Sequence, residues 1–592
     1  MKIEINKKIL ETTKYFIRVL KILSSAGKVY LITIILLAII AGIIPSISTL
    51  FMQEIINTLQ KHTQDLNYIL IIVFVYIIID MASGLLNTLS IYLESTLQLK
   101  TSIIFNMSIV EKVKDFDLKD LENSEIYDLI QRANSTDTNQ LFYFFKSAVM
   151  ALQFIINLIA FSLILTSWKW CLIPIIFFMP VINIVVSAKL GKEQFFMYRE
   201  RTGKSRKMWY FKHLLTNDIA FKEIKIFNLG NYFRSRYKEL NLEFHRQDKA
   251  LLNKKTKYQI LLLILDQIVS AGLFAYVIIN TFFGAILLGQ MNTYTRSISN
   301  VKSSLQGFLS QLNSMYQSVL YISQYFEFID IKKEDVQEDQ LLMLNEVPSI
   351  NIVNLSYKYK NQNKYALRNI NFEVEKGNLI ALVGQNGSGK STLLKIISTL
   401  YGDYEGDIYI GDYNLKQLKP ESVHKKIGIL FQDFVRYQLS VKENVAVGQL
   451  EKMNEVSDII QILSRMGVGN KIDNLDVQLG CWFDGGVQLS GGEWLKIALG
   501  RALIRDAEIY LLDEPNAALD SISERKILDE FKKSCNGKIG IIISHRIASI
   551  KNIADKIIVF DNGTIVAEGT HDELLKVSPV YRNLCKNEEG ID

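Results

Sequence analysis

The nine residues Gly384-Gln385-Asn386-Gly387-Ser388-Gly389-Lys390-Ser391-Thr392 follow directly on an apolar run, 379–383. Glycines at this spacing let consecutive backbone N–H groups curl around phosphate oxygens. A helix starting at Lys390 would point its positive end at the same group. Lys390 then supplies a charge at the β- and γ-phosphates, and the Ser391 hydroxyl is a ligand for Mg2+. A second apolar run, 507–512, ends in Asp513-Glu514. A carboxylate at a strand end can hold the metal through its water, and a second beside it can polarise an attacking water. Asp513 suits the first role and Glu514 the second. The chemistry these residues predict is hydrolysis of a nucleoside triphosphate.

Such a site needs strands and helices to hold it, and only part of the chain reads that way. Of 592 residues 49% are hydrophobic, with 32 Gly, 7 Pro and 4 Cys, which excludes disordered, collagen-like and disulfide-rich classes. Cys171, Cys481, Cys535 and Cys585 form no CxxC pair and read as free thiols facing a reducing cytosol. A net charge of +6, dispersed along the chain, does not point to nucleic acid. Residues 349–592 alternate short apolar runs with polar turns, as a soluble α/β domain does, whereas 1–328 carries long apolar runs.

A bilayer core takes about 20 apolar residues of helix. Five stretches qualify, at 29–52, 66–89, 147–167, 170–188 and 258–282. Buried core helices are the alternative, but so many long runs with so little charge favour lipid. Residues 1–28 hold seven Lys/Arg against two acids, and 189–257 hold eighteen against seven, so both should face the cytoplasm. Parity then requires a sixth crossing. The candidate is 291–312, in which Ile298, Val301, Leu305, Phe308 and Leu312 fall on one side and Thr295, Ser299, Lys302 and Gln306 on the other. A polar stripe in a membrane helix must face protein or water, so this helix reads as the wall of an aqueous cavity. A surface-lying amphipathic helix is the alternative. Charges within the spans, Asp80 and Asp266 together with Arg296 and Lys302, are candidate cavity residues. Asp80 and Lys302 lie at similar depth and could pair, as an ion pair that holds two helices together.

Leu489-Ser490-Gly491-Gly492-Glu493 resembles the LSGGQ signature of ABC-transporter ATPases. Other marks of that family follow in order. Tyr359 suits the aromatic that stacks on adenine. Gln432, in Leu430-Phe431-Gln432-Asp433, suits the loop that senses the γ-phosphate and contacts the membrane domain. Ala518-Leu519-Asp520 resembles the D-loop, and His545, in Ile543-Ser544-His545-Arg546, suits the switch histidine. Six crossings followed by one such ATPase resemble an ABC exporter half-transporter. That resemblance implies an all-α six-helix transmembrane domain over 1–328, a linker over 329–348 and an α/β P-loop ATPase over 349–592. It also implies an ATP site built from Tyr359, residues 384–392, Ser490, Gly491, Gly492 and Asp520. Mg2+ would lie on Ser391, Gln432 and Asp513, and catalysis would fall to Glu514, His545 and Gln432.

The family departures are Glu493 in place of the usual Gln, and Asn516-Ala517 where Thr-Ser is common; both bear on coupling between subunits. The segments Leu121-Glu122-Asn123-Ser124-Glu125-Ile126-Tyr127-Asp128, Gln131-Arg132-Ala133, Leu479-Gly480 and Glu493-Trp494 resemble bacterial exporters of lanthipeptides and other bacteriocin-like peptides. Only 28 residues precede the first apolar run, without a cysteine, so leader cleavage is not expected of this chain. In this family the signature Ser and Gly contact the γ-phosphate held by the opposing subunit. The resemblance therefore implies a homodimer (a heterodimer is the alternative) in a bacterial cell membrane, with the ATPase domain cytoplasmic and a peptide as cargo. A drug or lipid exporter on the same scaffold is the second reading. An ATP-gated channel or regulatory subunit is the third, and the intact Glu514 and His545 argue against it. Inner segments near 122–132 and 217–233 are the candidates for transmitting motion.

Overall fold

The computed structural model describes residues 2–61, 66–135, 139–331, 341–360, 362–468, 474–515 and 519–589. Residues 332–340 of the expected linker, and Asn516, Ala517 and Ala518 ahead of Asp520, lie outside them. Contacts divide the chain into two units, Met1–Lys114 with Asp128–Ile331, and Asp115–Tyr127 with Lys332–Asp592.

The first unit is helical. In chain order the helices are α1 (Lys2–Lys61), α2 (Leu66–Lys114), α3 (Leu118–Leu121), α4 (Ser124–Ser135), α5 (Gln140–Thr166), α6 (Leu172–Thr216), α7 (Asp218–Ile226), α8 (Gly230–Phe282) and α9 (Leu288–Ile329), of which α3 belongs to the second unit. Among the described residues α1, α2, α5, α6 and α8 are long and apolar enough to cross a membrane. They contain the five apolar runs, except that Ser167 falls just past α5 and Trp170 and Cys171 fall in the turn before α6. The helical path of α1 is interrupted at Gly27 (φ 169°, ψ 85°), ahead of its apolar stretch.

The sixth candidate is one continuous helix, α9. On its apolar side Ile298, Val301 and Leu305 are buried, whereas Phe308 is half-buried and Leu312 is exposed. Ile298 and Val301 share a cluster with Phe161, Leu165, Leu172, Leu273 and Val277 from α5, α6 and α8. Arg296, Ser299, Ser303 and Gln306 on the other side are exposed. Helix α9 approaches α1 closely at Gly289, whose N–H donates to Asn57 Oδ1 (3.0 Å), while Leu288 N–H donates to Gln60 Oε1 (2.9 Å). A Cβ at Gly289 would run into the Gln53 carbonyl oxygen and the Asn57 side chain. At its far end α9 is tied to the start of α1. The Arg18 guanidinium makes two bonds to the Asp330 carboxylate (2.6 and 2.7 Å) and lies 3.9 Å from the Phe326 ring centroid.

The Asp80–Lys302 pair that similar depth allows does not form. Lys302 Nζ bonds Asp266 Oδ2 at 2.5 Å and donates to Ser270 Oγ at 2.8 Å, both on α8. Residues 266 and 270 are one helical turn apart and present two oxygens to the same ammonium, a geometry that depth alone does not reveal. Asp80 instead lines, with Arg296, a cavity of about 390 Å³ between α1, α2 and α9 whose wall includes Pro45, Tyr76, Ser299 and Asn300.

The second unit is α/β. Its strands are β1 (Ser349–Tyr357), β2 (Leu367–Glu375), β3 (Leu379–Gly384), β4 (Glu405–Ile410), β5 (Tyr413–Asn414), β6 (Ile427–Leu430), β7 (Ile509–Asp513), β8 (Ile539–Ile543), β9 (Lys556–Asp561) and β10 (Thr564–Gly569). The helices are α10 (Lys390–Ile397), α11 (Pro420–Lys426), α12 (Val441–Ala446), α13 (Val456–Arg465), α14 (Gly491–Leu503), α15 (Ser521–Ser534), α16 (Ile547–Ile550), α17 (His571–Val577) and α18 (Pro579–Glu589). One sheet is antiparallel, in the order β2-β1-β4-β5; the other runs β10-β9-β3-β8-β7-β6, parallel apart from β10. Every residue of β3, β7 and β8 is buried, which is why these strands read as unbroken apolar runs. Alternate residues feed two cores: Leu379, Ala381 and Val383 join one, Ile380 and Leu382 the other.

The segment 115–127 packs within this unit. Leu118 lies against the second of those cores, Lys119 pairs with Asp403 (2.9 Å), and the Tyr401 hydroxyl donates to the Glu122 carboxylate (2.8 Å). Tyr401 in turn stacks on Tyr357, with ring centroids 5.2 Å apart.

Gly289→Val should weaken the α1–α9 packing by about 1–3 kcal/mol, because the clash involves backbone that cannot step aside. Gly84→Ala, at a position with no atom near the added methyl, should leave stability unchanged. Thermal unfolding of the detergent-solubilised protein compares the two.

Candidate ATP site

The phosphate loop leaves the buried end of β3 and closes at Gly389, which sits at φ 100° and caps α10. A side chain there would meet the Ala366 carbonyl as well as the unfavourable backbone angle, so glycine is required on two counts. Gln385, Asn386 and Gly387 form the exposed crest of the loop, while Ser388 is buried. Lys390 is 4% exposed and folds back over the loop, with Nζ donating to the Gly384 and Gln385 carbonyls (2.9 Å each) and to Ser388 Oγ (3.2 Å). Burial lowers its pKa, against the raising influence of Glu514 and Asp513. A cation so placed, with only neutral oxygens bonded to it, is set to receive an anion.

Two loop neighbours flank this cradle. The Thr392 and Tyr359 hydroxyls are 3.0 Å apart, and the Tyr359 ring meets Tyr357 and Tyr401 edge-on at 5.2 and 5.8 Å. The aromatic proposed for adenine is therefore fixed beside the first turn of α10.

Parallel register brings the other groups to the same sheet edge. Asp513 of β7 is opposite Ile543 of β8, and Ile543 is opposite Leu382 of β3. Asp513 is 4% exposed, and its Oδ1 has no hydrogen-bond partner. Burial raises its pKa; a hydrogen bond with Ser391 works the other way. A buried carboxylate oxygen without a partner, next to a serine hydroxyl, fits a hard divalent cation. Among the described residues no group of three His, Cys, Asp or Glu side chains could hold a metal by itself, so phosphate and water would complete such a shell.

Glu514 follows at φ 51°, a left-handed conformation that costs a non-glycine residue about 1–2 kcal/mol. Its N–H bonds the Ile543 carbonyl (3.0 Å), and its carboxylate is gripped on both sides. Gln432 Nε2 donates to Oε2 (2.8 Å), and His545 Nε2 lies 2.6 Å from Oε1. The three expected catalytic side chains thus form one connected group.

The remaining expected residues sit at helix starts. Ser490 caps α14, accepting from Glu493 N–H, while the Glu493 carboxylate accepts from both the Ser490 hydroxyl and its N–H. Gly491 and Gly492 form the first turn of that helix. Asp520 caps α15 through bonds from Ile522 and Ser523 N–H, and these backbone donors hold its carboxyl below the usual range. Of the cavity candidates, Asp80 and Arg296 line one cavity, and Asp266 and Lys302 neutralise each other outside its wall.

A nucleotide cradle on a parallel sheet, carried by a chain with a helical membrane half, defines an ATP-driven membrane transporter. A sequence profile of the family described as ABC transporter matches residues 367–517. The subtilin transport ATP-binding protein SpaT of Bacillus subtilis is 35% identical over 590 residues, covering 99% of this chain and 96% of that one. The nisin transport ATP-binding protein NisT of Lactococcus lactis subsp. lactis is 34% identical over 582 residues, covering 97% and 96%. The chain belongs to the ABC transporter family: it binds ATP and hydrolyses it to drive transport, with its ATPase on the cytoplasmic side of the membrane. Its fold is also that of a bacterial Atm1-family ABC exporter solved with ATP bound (TM-score 0.71, 20% identity, 95% of this chain and 97% of that one).

Glu524 was not anticipated. It is 3% exposed and pairs with Arg546, the residue after His545, at 2.5 Å. Its position was readable: Glu524 falls on the stripe of α15 that carries Ile527, Leu528 and Phe531, all buried. A charge on an apolar stripe calls for a partner.

Lys390→Ala should weaken ATP binding about tenfold or more, since it removes a charge-assisted contact; equilibrium binding of a fluorescent ATP analogue measures this. Glu524→Ala should cost about 1–3 kcal/mol and lower turnover by loosening the His545 loop; thermal unfolding and ATPase assays report the two effects separately.

Proposed function

We propose that two copies of this chain act together as an exporter of a peptide of the bacteriocin or lanthipeptide type. Ser490 and Gly492 of one copy would complete the site formed by residues 384–392 of the other. The observation that carries the reaction is the Gln432–Glu514–His545 group at the sheet edge that also holds the phosphate loop. Full-length similarity to the subtilin and nisin transport proteins, membrane half included, supports the peptide cargo. The exposed polar side of α9 supports a hydrated passage, with Asp80 and Arg296 on its wall.

Tyr359 stacks on adenine, the loop N–H groups and Lys390 bind the β- and γ-phosphates, and Glu514 takes the proton of the attacking water. Gln432 and His545 fix the Glu514 carboxylate so that little reorganisation is needed when the water is deprotonated. Ser391 and Asp513 would hold Mg2+, which would supply neutralisation of phosphate charge. Because Ser490 and Gly492 reach the nucleotide only in a closed pair, ATP favours closure. Moving such an equilibrium from 1:99 to 99:1 takes about 5.5 kcal/mol of differential affinity. Hydrolysis removes that preference and resets the cycle.

Inside-out membrane vesicles test this with candidate peptides and with labelled lipid. The wild type should accumulate peptide in an ATP-dependent manner. Glu514→Gln should bind ATP but lose at least about 100-fold in turnover. Near-normal hydrolysis by that variant removes Glu514 as the base, and transport of lipid without peptide removes the peptide cargo.

A further inference from the structure

The proposed role of Ser490 requires its hydroxyl to donate to a phosphate oxygen, yet that one proton is already engaged. The Ser490 hydroxyl donates to Glu493 Oε2 at 2.8 Å, and the Ser490 N–H donates to the same oxygen at 2.9 Å. Glu493 N–H donates back to Ser490 Oγ at 3.3 Å. This reciprocal box starts α14, a helix of 13 residues whose next positions, Trp494 and Leu495, are buried. The cap is therefore fixed from below, and the carboxylate stays within one helical turn of wherever the Ser490 hydroxyl points.

We propose that Glu493 acts as an electrostatic brake on ATP-driven closure: its carboxylate occupies the Ser490 hydroxyl and opposes the approach of the partner's γ-phosphate. The inference rests on the two-copy site proposed above. Two effects act in the same direction. A phosphate oxygen must compete with an ionised acceptor for the serine proton, and charge-assisted hydrogen bonds of this kind are roughly twice as strong as neutral ones. A negative charge beside a triphosphate also repels it as the two copies approach, while both charges still face solvent. A glutamine at 493 would accept from the Ser490 N–H through its amide oxygen and so keep the cap, while holding the hydroxyl less strongly and carrying no charge. Glu493 is thus a positioning residue: it does not touch the nucleotide but sets how much ATP is needed to close the pair.

The test is ATP hydrolysis by the full-length protein in nanodiscs, measured against ATP concentration at low and at high salt. Glu493→Gln should lower the half-saturating ATP concentration about tenfold at low salt, and by less at high salt, because surface electrostatics are screened. Its melting temperature should match the wild type, since the cap survives. Unchanged or increased half-saturating ATP in Glu493→Gln, with an intact melting temperature, overturns the brake. An equal shift at both salt concentrations overturns its electrostatic origin. Ser490→Ala in the same assay separates the two proposals. If it leaves ATP dependence untouched, the two-copy site fails; if it raises half-saturating ATP while Glu493→Gln does not lower it, only the brake fails.

Discussion

A triphosphate concentrates several negative charges within a few ångströms, and the phosphate loop, Asp513-Glu514 and His545 lie together at one edge of a parallel sheet. The register of β3, β8 and β7 is what achieves this. Leu382 lies opposite Ile543 and Ile543 opposite Asp513, so the phosphate loop, Asp513-Glu514 and Ser544-His545 all leave the sheet at its carboxyl end. Antiparallel neighbours would send alternate strand ends to opposite edges. The three strands are buried on both faces, and burial makes the edge rigid enough to hold Glu514 at a backbone angle it would not choose alone.

That rigidity explains the electrostatics of the edge. Lys390 and Asp513 are each pulled toward neutrality by burial, in opposite directions, and each lacks a full counter-charge. A buried cation and a buried anion in such a state can each take up an opposite charge from a ligand. Glu514 is treated differently. Its carboxylate is held by Gln432 and His545 from two other parts of the chain, so its orientation depends on the whole edge rather than on its own strand.

The helical unit follows a different solvent but a similar economy of charge. Lys302 is neutralised by Asp266 and further bonded by Ser270, while Asp80 and Arg296 stay on the wall of a cavity. Helix α9 buries Ile298, Val301 and Leu305 and leaves Arg296, Ser299, Ser303 and Gln306 exposed, polar groups that lipid would not tolerate. Close packing at Gly289 brings that helix against α1, and two hydrogen bonds from its first turn are possible only at that distance.

Local patterns made much of this legible from the amino acids alone. The phosphate loop, the Asp513-Glu514 pair and five spanning helices are each written in consecutive residues, because loop geometry and bilayer thickness both act over short stretches of chain. The role of Glu514 as a base could be proposed from its neighbour, but not its clasp by Gln432 and His545, which come from 82 residues before and from the next strand of the sheet. The partner of Lys302 was not legible for the same reason: depth along a helix is a property of sequence, whereas the direction a side chain faces depends on how helices pack. Likewise the exchange of Gln for Glu493 was visible at once, and only the folded cap showed which proton it holds. Residue type and spacing determined the chemistry available to this protein; tertiary packing decided which groups meet, since contacts between distant segments are set by register and burial rather than by order in the chain.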